Sequence, residues 1–144
     1  MTPTKTQEHS SARQPLVPIT DRAFAFAVRV VKLCKYLEKH SGVSRIVINQ
    51  LLAAATSVGA NLEEAVAGQS RADFVHKNAV ALKETRESNY WLRLIVTTEQ
   101  FKSAIKNGIL ELINESSEIS KIIAKRIISS RTKQVPEKEL GKLK

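Results

Sequence analysis

The sequence predicts an all-α fold, an antiparallel up-down four-helix bundle, and three observations predict it. Apolar or small residues recur every three or four positions through Leu51, Ala55, Val58, Leu62 and Val66, then through Phe74, Ala81, Ser88, Trp91 and Ile95. Only 5 Gly and 4 Pro occur in 144 residues, with most of the Pro towards the two ends, so long helices can run uninterrupted. The breaks between periodic stretches are short, as at Ala67-Gly68-Gln69-Ser70, and short connections force neighbouring helices to lie antiparallel.

Residues 1–19 mix Thr, Ser, Gln and Lys with Pro and show no period, which predicts a flexible arm. The first helix starts at a cap on Thr20 or Asp21 and runs to about His40. Its inward stripe is Ala23, Ala27, Val30, Val31, Cys34 and Leu37, while Arg29, Lys32, Lys35 and Lys39 recur on another face. Ser41-Gly42 ends it, and Ser44 caps the next.

The second helix extends from about Ser44 to Val66, with Ile46, Ile48, Leu51, Leu52, Ala55, Val58 and Leu62 giving it a broad apolar surface. Such a helix is central in its bundle or faces a second copy. Gly59 costs about 1 kcal/mol relative to Ala inside a helix, which implies a packing reason for it. Gly68 is placed to end this helix in a left-handed conformation. Ser70 caps the third helix, with Asp73 suited to its positive end.

The third helix reaches roughly Thr98, with Val75, Asn78, Leu82, Thr85 and Leu92 widening its stripe and Trp91 expected to be substantially buried. A break near residues 100–102 is favoured over a competing stop at Asn107-Gly108. From there Ile105, Ile109, Leu112, Ser116, Ile119, Ile123 and Ile127 carry a fourth helix from about Ser103 to Ser130. The bundle therefore occupies residues 20–131, followed by a flexible basic tail over 132–144 that is interrupted by Pro136.

Lys and Arg number 23 against 14 Asp and Glu, a formal charge of +9. Such an excess raises the local concentration of anions and favours nucleic acid, although it also serves solubility. The cations cluster as Arg29, Lys32, Lys35 and Lys39 on the first helix and as Lys121, Lys125, Arg126 and Arg131 on the fourth. Phosphate contact needs cations spaced along a surface and no base-reading motif. These eight residues are the candidate nucleic-acid contacts, set against a reading in which they are solvated helix faces and dipole partners. Without interleaved aromatic residues, binding would be mainly electrostatic.

Catalytic chemistry finds little support. A di-iron bundle needs carboxylates from all four helices and two Glu-x-x-His pairs, whereas Asp73-x-x-His76 is the only acid-His pair at that spacing. No metal or other cofactor is expected. Cys34 lies on the apolar stripe without a nearby His, and neither a phosphate loop nor a nucleophile elbow is present. The reading is a non-enzyme. No apolar run approaches the roughly 20 residues of a membrane span, and no secretory h-region is visible, so a cytoplasmic protein without membrane partners is expected.

The run from Ser57 through Val58-Gly59-Ala60-Asn61-Leu62-Glu63-Glu64 to Ala65, then Ser70-Arg71-Ala72-Asp73-Phe74 and the run Ala81-Leu82-Lys83-Glu84-Thr85-Arg86-Glu87-Ser88-Asn89-Tyr90-Trp91-Leu92, carries a resemblance. It resembles the bacterial four-helix-bundle family first met as proteins encoded in intervening sequences of large-subunit ribosomal RNA genes. That family includes relatives of the accessory variability determinant of diversity-generating retroelements. The resemblance spans roughly residues 20 to 131 and implies a bundle assembled into a homopentamer. It also implies RNA or DNA and a reverse transcriptase as partners. Asn61, Glu64, Glu84 and Glu87 match polar positions of the family motif, and antiparallel packing would let them form one hydrogen-bonded network. The competing function is a structural or protein-interaction oligomer that binds no nucleic acid.

Overall fold

The computed structural model describes residues 16–68 and 70–132. Most of the arm expected at the start of the chain, and the tail expected after residue 132, lie outside the described residues. Four helices follow in order: α1 (Ile19–His40), α2 (Arg45–Ala67), α3 (Arg71–Thr98) and α4 (Ser103–Thr132). They form an up-down ring in which α2 packs on α1 and α3, and α4 packs on α3 and α1. The diagonal pairs α1/α3 and α2/α4 make no close backbone approach, so no helix is central; the breadth of α2's apolar surface is not explained by a central position.

Phe26, Val30 and Leu37 of α1, Ile48, Leu51, Val58 and Leu62 of α2, Leu92 and Ile95 of α3, and Ile109, Ile119 and Ile123 of α4 make one continuous core. Phe26, rather than Ala27 or Val31, completes the α1 stripe. Four polar residues sit inside this core: Asn78, Thr85, Ser88 and Ser116. The three hydroxyls return to their own helix, Thr85 to the Ala81 carbonyl at 2.7 Å, Ser88 to Glu84 at 2.8 Å and Ser116 to Ile113 at 2.7 Å. Each buried hydroxyl therefore donates without needing an acceptor on another helix.

The helix ends correct two expectations. Helix α1 begins two to three residues early, with Pro18 at the N-cap and no side-chain cap bond from Thr20 or Asp21. Pro suits a helix start because it needs no backbone donor there. Gly68 is extended at φ −63°, ψ 149°, not left-handed. A Cβ there would displace the Asp73 carboxylate, the end of a flexible side chain, and would press on the Ala65 carbonyl oxygen at 3.2 Å. Ser70 does cap α3, its hydroxyl accepting from the Asp73 N–H at 3.1 Å. Helix α4 runs straight through Asn107-Gly108.

Candidate nucleic-acid interface

The antiparallel register fixes where the charges fall. Arg22 pairs with Glu115 and Arg29 with Glu111, so the last turns of α4 run past the start of α1 and pack on the first turns of α3. Lys35 and Lys39 consequently stand at one end of the bundle and Lys125 and Arg131 near the other. At a rise of about 1.5 Å per residue the two clusters lie roughly 40 Å apart along the axis.

The eight candidate cations are not equivalent. Arg29 donates to Glu111 at 2.6 Å, and Lys121 reaches Glu118 at 3.3 Å. The Arg126 guanidinium lies 5.1 Å from the centroid of the Phe74 ring, half-buried, and burial lowers its pKa. Lys32, Lys35, Lys39, Lys125 and Arg131 are exposed and form no ion pair among the described residues. Spacing along one helix revealed the clusters, but the carboxylate that occupies Arg29 comes from across a seam.

Asn61, Glu64, Glu84 and Glu87 do not form one network. The Asn61 amide donates to the Ser57 carbonyl of its own helix at 2.8 Å, and Glu64 accepts from Lys77 at 2.6 Å. That Glu64–Lys77 pair sets a register which places Glu84 level with about Ser57, so Glu84 and Glu64 are offset by roughly 10 Å along α2. Glu87 instead accepts from the Trp91 indole N–H at 3.2 Å, and Trp91 is half-buried against the core, not enclosed by it. Burial raises the Glu84 pKa, and the neighbouring Glu87 charge adds to the effect.

Two further surfaces escaped a reading helix by helix. Between α1 and α2 runs an apolar groove of about 550 Å³ lined by Phe24, Ala27, Val28, Val31, Gly59 and Ala60, with Lys32 and Lys35 on its rim. Phe24 is 69% exposed there, too much for a Phe of a closed monomer core. On the opposite side, the α3–α4 seam carries a polar cleft of about 310 Å³ lined by Arg86, Asn89, Arg93, Ser117 and Ser120. The seven-residue interval from Arg86 to Arg93 was the available signal, because it puts both on one helix face.

Among the described residues no three His, Cys, Asp or Glu side chains gather as metal ligands. No helix among them is long and apolar enough to cross a membrane. Cys34 is buried, with its thiol pushed up to about 11, mainly by burial and then by the Glu38 charge.

Residues 17–125 match the family model described as 23S rRNA-intervening sequence protein. A crystal structure of a protein of unknown function from the S23 ribosomal protein family, from Bacteroides thetaiotaomicron, is 38% identical to this chain. The match covers 76% of this chain and 98% of that one, with a TM-score of 0.70. Comparison with curated proteins gives no match.

Proposed function

The chain belongs to the 23S rRNA-intervening sequence protein family, and from that premise we propose that it is a non-enzymatic, self-associating, cytoplasmic bundle that binds RNA through its basic surfaces. The observation that carries the nucleic-acid reading is the set of exposed cations, Lys32, Lys35, Lys39, Lys125 and Arg131, left without carboxylate partners among the described residues. Unpaired surface cations are the groups that release counterions from phosphates on contact, which makes binding salt-dependent and weakly sequence-specific. Two clusters at opposite ends of a bundle suit a long polyanion better than a small ligand.

Self-association is supported by the α1–α2 groove. An apolar channel with an exposed Phe at its edge is stabilised when a second surface covers it. The family resemblance suggests five copies. Repetition of weak phosphate contacts around such an assembly raises the overall affinity by avidity, provided one RNA spans adjacent copies.

The test is a salt titration of RNA and DNA binding by the full chain, with Lys39, Lys125 and Arg131 changed to Glu in the comparison protein. These three lie clear of the groove lining, so association should survive the change. Tight binding at low salt, lost steeply as salt rises and abolished by the reversals, is the expected result. A wild-type protein that associates but ignores both nucleic acids at low salt would make the structural oligomer the correct reading.

A further inference from the structure

The polar cleft on the α3–α4 seam is built around Asn89. Its amide donates to Ser116 Oγ at 2.9 Å, with the Ile113 carbonyl at 3.2 Å and Ser117 Oγ at 3.3 Å. These acceptors all belong to α4, so the side chain is fixed across the seam. Its carbonyl oxygen then accepts from Arg93 Nε at 2.8 Å. One edge of the Arg93 guanidinium is thus held, and the Tyr90 ring, 5.9 Å from Cζ, lies beside it. The terminal Nη groups have no acceptor among the described residues. Arg86, one turn before Asn89, is exposed and likewise without an ion pair among them.

No carboxylate lines this cleft. Elsewhere on the surface an arginine within reach of an acid has taken it, as Arg22 and Arg29 have. Here two guanidiniums rooted about 10 Å apart on one helix face flank a fixed amide and the Ser120 hydroxyl. A guanidinium fork offers paired donors that match two oxygens of a phosphate or carboxylate, and a pre-oriented fork loses less entropy on binding. We propose that the Arg86–Asn89–Arg93 cleft is an anion site that grips a single phosphate group, with Arg86 and Arg93 touching the phosphate and Asn89 as the residue that positions Arg93. On the RNA-binding reading, which this inference extends, the phosphate is that of an RNA backbone. The cleft faces away from the α1–α2 groove, so covering the groove leaves it open.

The experiment uses the full chain and two probes, inorganic phosphate and a short oligouridylate. Phosphate titrated into isotope-labelled protein should shift the Arg93 Nε–H and Asn89 amide resonances saturably, and the double variant Arg86→Gln/Arg93→Gln should lose the response at the Asn89 amide. The same variant should weaken oligouridylate binding. It should also flatten the plot of log affinity against log salt by about 0.7, the share of the one backbone phosphate that loses both arginines. Asn89→Ala, which keeps every charge, should weaken both probes by less than the double variant does; a merely structural Asn89 would change melting temperature alone. If phosphate binds and the oligonucleotide does not, the cleft stands and the RNA reading falls. If the oligonucleotide binds equally to wild type and double variant while phosphate moves neither resonance, the cleft is overturned and the RNA reading stands. Silence from both probes overturns both.

Discussion

Arg22 of α1 grips Glu115 of α4 with two parallel bonds, Nε to Oε1 at 2.9 Å and Nη2 to Oε2 at 3.0 Å. The α1–α4 seam is the slightest of the four, and this fork crosses it together with the more exposed Arg29–Glu111 pair. It raises the Arg22 pKa, first through the hydrogen bond to Glu115 and, after the opposing cost of burial, through that residue's charge. Both side chains are a little over a quarter exposed. A double-mutant cycle with Arg22→Ala and Glu115→Ala should therefore give a coupling of about 1 kcal/mol, weakened by salt. A coupling below a few tenths would mean that this fork adds nothing to the packing that closes the ring.

Gly59 is expected to behave in opposite ways in folding and in association. A Cβ added there meets Ala23 and Phe24 atoms only at 3.8 Å, ordinary van der Waals contact. The packing reason for the glycine therefore does not lie within the protomer. Gly59→Ala should raise folding stability by roughly 0.5–1 kcal/mol. By narrowing the groove floor it should also shift sedimentation towards smaller species. Unchanged association with the gain in stability would remove Gly59 from any interface.

Asn78 is fully buried, and its amide donates to the Phe74 carbonyl at 2.8 Å while its side-chain oxygen has no partner among the described residues. A buried acceptor left alone costs on the order of 1–3 kcal/mol. Asn78→Leu, close in shape, should be stabilising by about 1 kcal/mol in chemical denaturation. A loss of stability instead would show that the amide pairs with a group the hydrogen bonds above do not include.

Cys34 should resist thiol reagents in the folded protein and react on unfolding, since its neutral form is favoured by burial. The folded pKa of about 11 lies above the ordinary 9.0, so the unfolded chain loses this proton first. The contribution to stability is therefore full below pH 9 and is lost as pH rises from there through about 11. Denaturation midpoints of wild type and Cys34→Ala, followed through that window, should converge as pH rises. Parallel curves would contradict the shift.

What the sequence by itself determined was the order and extent of the elements. Periods of three to four residues, Ser70 as a cap and the short breaks after His40, Ala67 and Thr98 are properties of neighbours along the chain, and helices are built from such neighbours. The buried hydroxyls Thr85, Ser88 and Ser116 were legible for the same reason, because a core position on a helix repeats at fixed spacing.

Only the tertiary structure decided which charges remain free and which surfaces remain bare. Arg29 and Lys35 look alike on α1, yet one meets Glu111 across a seam and the other meets no acid among the described residues. Glu64 and Glu84 stand at motif positions that suggest one network, and an offset in antiparallel register keeps them apart. The Arg86–Asn89–Arg93 cleft exists because α4 supplies Ser116 and Ser117 at the height of Asn89. The physical reason is common to all three cases. Helical spacing fixes a residue's angle about its own axis, whereas the register between helices is set by packing among residues far apart in the chain.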